Sequence, residues 1–71
     1  MKITSQQTEK LLTGNQAFSQ LGFSMLLTRL KTRYVNNPAP DTVQACTTEI
    51  NTFLAKFNKI MADDYAVITK L

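Results

Sequence analysis

The chain has no histidine and no tryptophan, one cysteine, two glycines and two prolines among its 71 residues. Each shortage closes a class of chemistry. A structural zinc site takes about four ligands, almost always Cys and His, and Cys46 alone does not supply them. Nucleophilic catalysis needs a nucleophile activated by a base, usually His, so Ser/His/Asp and Cys/His arrangements are excluded. Neither Gly14 nor Gly22 is followed by the Lys that ends a phosphate-binding Walker loop, and a dinucleotide fingerprint needs about three glycines. These counts point away from an enzyme and imply no catalytic residue, cofactor or metal. A single cysteine makes no internal disulfide, so the chain is not a disulfide-stapled scaffold.

Long apolar runs are also missing. Lys2 opens no apolar run of the about 7–15 residues that a signal peptide requires. The uncharged stretch Leu11 to Thr28 is 18 residues long, but half of it is Thr, Gly, Asn, Gln and Ser. A membrane-spanning helix needs about 20 predominantly apolar residues. The expectation is a soluble, cytoplasmic protein.

What is present is a short, moderately apolar chain: 44% apolar, 18% charged, with 23 of 71 residues Ser, Thr, Asn or Gln. This length allows one domain and one core. Area scaling for the chain gives about 105 kcal/mol of apolar burial on compact folding. Ordering the residues costs about the same. An elongated monomer would bury less, so self-association or a helical partner is expected to complete the fold.

The strongest punctuation is Asn36-Asn37-Pro38-Ala39-Pro40-Asp41. Pro biases its preceding residue away from the helical region, and Asn and Asp favour turns and caps. The segment divides the chain into an arm over 1–35, a turn over 36–41 and an arm over 41–71. Asp41 followed three residues later by Gln44 fits a capping-box-like helix start. In the second arm Val43, Cys46, Ile50, Phe53, Leu54, Phe57, Ile60, Met61, Tyr65, Ile68 and Leu71 fall within about 140° of a helical projection. Asp64 is the misfit inside that stripe. Either the helix fails near Ala62–Asp64 or the carboxylate meets a cation or water; the phase resumes at Tyr65 and Ile68, which favours continuity.

The first arm is apolar on two sides. One stripe, Leu11, Gly14, Phe18, Leu21 and Met25, has the spacing of a coiled-coil seam. A second, Leu12, Phe23, Leu26, Leu27, Leu30 and Tyr34, lies about 120° away. One neighbouring helix from the same chain does not cover both. Thr4 with Gln7 fits a helix start, and Gly14-Asn15 suits a helix end with Asn15 as a fresh cap. The seam phase kept across Gly14 favours continuity. The expected fold is all-α: an antiparallel α-helical hairpin of helices over about 4–35 and 41–70, with Gly14 and Asp63 marking where each can break.

The candidate interaction face is Phe18, Leu21, Phe23, Leu26, Leu27, Leu30 and Tyr34, and the candidate anion-binding residues are Arg29, Lys31 and Arg33. Residues 1–40 carry five Lys/Arg and one Glu, and residues 41–71 carry three Lys and four acids, so the net charge of +3 is concentrated in the first arm. Cations at a helix C-terminus also favour the macrodipole, and three without interleaved aromatics make a weak nucleic-acid signal. Cys46 reads as a small apolar core residue. Asp63-Asp64 lacks the alternating acids and glycine of a calcium loop. Pro38-Ala39-Pro40 is a turn, and the phenylalanines stand at core spacing.

The Pro-containing turn before Asp41-Thr42-Val43, with the spacing of Ile50, Phe53 and Phe57, resembles short helical-hairpin components of bacterial secretion needles and their small chaperones. The chain is also similar in size, charge and helical character to the basic immunity proteins of bacteriocin producers. Both resemblances imply a small helical interaction protein; the first covers under a third of the chain, and neither carries over a site residue. The expected function is therefore a non-enzymatic structural or interaction protein of adaptor, chaperone or regulatory type. The alternatives are a nucleic-acid-binding regulator using Arg29, Lys31 and Arg33, and an immunity-type or membrane-surface factor.

Overall fold

The computed structural model describes residues 2–56 and 61–71. Among them are four helices, α1 (Ser5–Thr13), α2 (Leu21–Asn36), α3 (Pro40–Lys56) and α4 (Ala62–Thr69), and no strand. The all-α expectation holds. The two-helix hairpin gives way to three helices, α1, α2 and α3, in pairwise contact, with α4 as a fourth, shorter element. An unbroken helix over the first arm would be about 48 Å long at 1.5 Å per residue. The longest dimension of the molecule is 31 Å.

The break follows from local chemistry. Thr4 and Gln7 form the reciprocal capping box that starts α1. At its other end Gly14 is extended (φ −91°, ψ 176°) and its N–H donates to the Lys10 carbonyl at 2.9 Å. Lys31 Nζ then donates to the Gly14 carbonyl at 3.0 Å. The Gln16 amide folds so closely over Gly14 that an added Cβ would clash with its Oε1. Asn15 does not cap the next helix. Gln20 does, its side chain accepting from the Phe23 N–H.

The seam phase across Gly14 is thus shared by two separate helices: Leu11 is buried in the core, while Leu21 and Met25 face solvent. The second apolar stripe of the first arm, from Leu12 to Tyr34, is taken up inside the chain because α1 and α3 both pack on α2. The core comprises Leu11 and Leu12 of α1, Phe23, Leu27 and Leu30 of α2, Val43, Cys46, Ile50 and Leu54 of α3, Ile68 of α4, and Ile3 before α1. The Cα radius of gyration, 11.1 Å, matches the about 11 Å of a compact chain this long.

The turn stands where the prolines put it, with α2 ending at Asn36 and α3 beginning at Pro40. Pro suits the first helical position, where an N–H would have no partner. Asp41 therefore lies inside the first turn of α3, where its charge favours the helix dipole, and is not the cap expected for it. Gln44 serves α1 instead, its Oε1 accepting from Ser5 Oγ at 3.0 Å. The second arm is interrupted as well: Met61 is non-helical (φ −55°, ψ 142°) and α4 starts at Ala62. Phe57 and Ile60 lie outside the described residues, and Met61 and Tyr65 are exposed where the stripe placed them in the core.

Candidate interaction surface

The seven residues of the expected interaction face separate into three groups. Phe23, Leu27 and Leu30 are buried in the chain's own core; Phe18, Leu26 and Tyr34 are half-buried against it; Leu21 is 73% exposed. Phe18 meets Phe23 edge to face at 4.9 Å between ring centroids, and Phe53 of α3 lies 5.6 Å from Phe23. The apolar surface that α2 leaves outside shares only Leu21 with that set. Leu21, Met25 and Val35 of α2 are exposed, with Thr28 and Thr32 between them also exposed.

These five residues are spaced four, three, four and three apart, the period of a coiled-coil seam. They form one uncharged stripe along the solvent side of α2. Thr28 Oγ1 donates to the Ser24 carbonyl at 3.0 Å and Thr32 Oγ1 to the Thr28 carbonyl at 3.1 Å. Their hydroxyl protons are therefore used within the helix, and the stripe presents no free hydroxyl donor.

The three candidate anion-binding residues do not converge. Arg29 and Arg33 both engage Glu49 of α3, at 3.3 and 3.0 Å. Lys31 is half-buried on the side toward α1, bonded to Gly14. The net effect is electrostatic rather than pocket-like. Helix α2 contains three cations and no acid, and Glu49 offsets one of them.

Helix α4 is fixed to the start of α2 by Asp64, which is 2% exposed. Its Oδ1 accepts from Ser19 N–H at 2.7 Å and Ser19 Oγ at 3.0 Å, and its Oδ2 from Gln20 N–H at 2.7 Å. The misfit in the apolar stripe is thus met by backbone and hydroxyl donors of Ser19 and Gln20. It meets the N-terminus of a helix, where backbone N–H groups and the macrodipole favour an anion. Burial pushes the Asp64 carboxyl upward, but the Ser19 and Gln20 bonds outweigh it and hold the group below its ordinary range.

Three further polar contacts had no signal in the apolar pattern. Asn51 of α3 clamps the N-terminal segment, accepting from Ile3 N–H at 2.7 Å and donating to the Ile3 carbonyl at 3.1 Å. Thr47 Oγ1 donates to Thr8 Oγ1 at 2.7 Å inside the core, joining α3 to α1. Lys10 Nζ donates to the Leu71 carbonyl at 2.7 Å. A polar residue at an internal register reads as exposed until its partner, 39 to 61 residues away, is known.

Cys46 is fully buried, and burial raises its thiol above the ordinary range; Glu49 adds to the rise and Arg33 and Arg29 oppose it. Among the described residues no three Cys, Asp or Glu side chains converge on a metal position. No described helix is long and apolar enough to cross a membrane. Open grooves on the described surface include one of about 440 Å³ beside Lys2, Asn51 and Ala55 and two that border α2 or the turn after it. Of these two, one of about 290 Å³ runs between α2 and α3 past Leu26, Thr52 and Phe53. The other, about 520 Å³, lies beside Tyr34, Pro38 and Pro40. No family model, no curated protein and no solved structure matches this chain.

Proposed function

We propose that this chain is a small non-enzymatic interaction protein, of adaptor, chaperone or regulatory type, that binds another protein through the solvent face of α2. The observation carrying this reading is the exposure of Leu21 and Met25, 73% and 63%, one turn apart on an uncharged stripe that continues to Val35. Isolated exposed apolar residues are ordinary, but a row of them at a helix-pairing period favours a docking surface. The reading replaces the buried Phe23, Leu27 and Leu30 with exposed residues of the same helix. A nucleic-acid regulator is less well supported, because Arg29 and Arg33 share Glu49 while Lys31 turns toward Gly14.

The test compares retention of cell proteins on the immobilised chain and on a Leu21→Gln/Met25→Gln double variant. Proteins held by the first and lost from the second support the reading. Identical retention, with both chains equally folded by circular dichroism, refutes it. Sedimentation velocity of the free chain at micromolar concentration separates a homo-oligomer from a heterotypic partner.

A further inference from the structure

The chemistry of the α2 stripe restricts what fits it. Leu21, Met25, Thr28, Thr32 and Val35 occupy successive seam positions, an interval of about 21 Å along the helix. The residues immediately flanking a seam set partner choice. Here those are Gly22, Arg29 and Asn36 on one side and Ser24 and Lys31 on the other. The flanks thus include two cations and no anion. Arg33 adds a third positive charge beside Arg29, and Glu49 is held by the two arginines. Lys31 donates to a carbonyl, which leaves its charge uncompensated. Three cations against one carboxylate leave the stripe's surroundings two units positive.

We propose that the occupant of this stripe is an α-helix of a partner protein with apolar seam residues flanked by Glu or Asp. The inference rests on the reading of α2 as a docking face and adds the partner's chemistry. A second copy of the chain fits less well: α2 against α2 aligns cationic flanks with cationic flanks and supplies no acid from either helix. An acidic-flanked helix meets Leu21, Met25 and Val35 with its own apolar seam and brings carboxylates into the net positive field of Arg29, Lys31 and Arg33. It also makes no demand for hydroxyl donors, which Thr28 and Thr32 have already committed.

Fluorescence anisotropy with the full chain tests this, using four labelled synthetic peptides of about three heptads. The first has Leu at the seam and Glu at the flanking positions; the second replaces every Glu by Lys, the third by Gln, and the fourth scrambles the first. The expected order is Glu over Gln over Lys, with the Glu peptide at least about tenfold tighter than the Lys peptide at low salt and the difference shrinking at high salt. The scrambled peptide should bind at least about tenfold more weakly, since helical register carries the contact. Leu21→Gln/Met25→Gln should weaken the Glu peptide about tenfold or more, and Arg29→Gln should narrow its advantage over Gln.

Equal binding of the Glu and Lys peptides, both lost in the Leu21→Gln/Met25→Gln variant, overturns the acidic-partner assignment and leaves the docking face standing. The same holds if the chain sediments as a dimer that this variant dissociates. Binding of the scrambled peptide as tight as the first shows charge attraction alone and overturns the proposal. If no peptide binds and no dimer forms, the docking face fails with it. Unchanged thermal unfolding of the variants, which alter exposed residues, separates lost contact from lost fold.

Discussion

Ser19 and Asp64 are 45 residues apart in the chain, yet the serine donates both its backbone N–H and its hydroxyl to one carboxylate oxygen, at 2.7 and 3.0 Å. The other oxygen takes Gln20 N–H. A side chain of α4 therefore satisfies backbone donors at the entrance to α2, work that a local cap ordinarily performs. Gln20 meanwhile serves Phe23 N–H as the N-cap of α2. The two devices together engage the Ser19, Gln20 and Phe23 N–H groups at the start of α2.

Replacing the carboxylate should loosen that joint. In Asp64→Asn the amide nitrogen faces donors, and one or more charge-assisted bonds are lost inside a buried site. A loss of about 1–3 kcal/mol is expected, measured by urea unfolding, with amide exchange accelerating first at Ser19, Gln20 and α4. A stability change below about 0.5 kcal/mol would show that the bonds contribute nothing net.

The same group sets an acid limit. Asp64 is held below its ordinary range when folded, whereas an unfolded Asp titrates near about 3.9. The folded state then binds fewer protons, so the stabilisation is complete above the unfolded value and is lost as pH falls through the folded one. Unfolding free energy measured from pH 6 downward should decline in the wild type more steeply than in Asp64→Asn. Parallel curves would contradict this assignment.

Asn51 is expected to govern the N-terminal segment. Its amide pairs with both backbone groups of Ile3, whose side chain is buried. Asn51→Ala removes the pair and should cost about 1–2 kcal/mol, with Ile3 and Thr4 amides losing exchange protection. Asn51→Asp retains an acceptor for the Ile3 N–H but loses the donor to its carbonyl, and should fall between the two.

Glu49 should matter much less for stability. Its partners Arg29 and Arg33 have side chains 61% and 51% exposed, and exposed ion pairs contribute about 0–1 kcal/mol. Glu49→Gln is expected to shift unfolding by about 0.5 kcal/mol or less. A change above about 2 kcal/mol would place the cluster among the buried networks.

Gly22 is a site where the natural residue is not required by geometry. An added Cβ meets the Gln20 amide at 3.4 Å and the Phe53 ring at 3.7 Å, ordinary contact distances. Gly22→Ala should stabilise α2 by about 0.5–1 kcal/mol through reduced unfolded-state entropy, read as a rise in the denaturation midpoint. A lower midpoint would mean that the approach of Phe53 leaves no room.

Much of the local structure was legible in the chain order. Thr4 and Gln7 announce the start of α1 and Pro38 and Pro40 the turn before α3, whereas at Gly14 the seam phase favoured a continuous helix and the chain breaks instead. The core positions Cys46 and Ile50 follow from helical spacing, while Leu27 and Leu30, expected to meet a partner, are buried in the chain's own core. The surface was less legible, because periodicity records which residues are apolar and not how many neighbours each helix acquires. The stripe through Leu11, Leu21 and Met25 was visible, but one end went into the core and the other into solvent once the helix broke at Gly14.

By itself, then, the sequence determined that the chain is helical, where α1 starts and where the turn before α3 falls, and that its residues supply neither a catalytic histidine nor four Cys/His zinc ligands. These follow from residue counts, caps and short-range periods. Tertiary structure alone decided that Asp64 caps α2, that Arg29 and Arg33 converge on Glu49 while Lys31 reaches Gly14, and that α2 keeps an uncharged outer face. Each depends on which distant segments meet, since a carboxylate or a leucine acquires its role from what desolvates it and what donates to it.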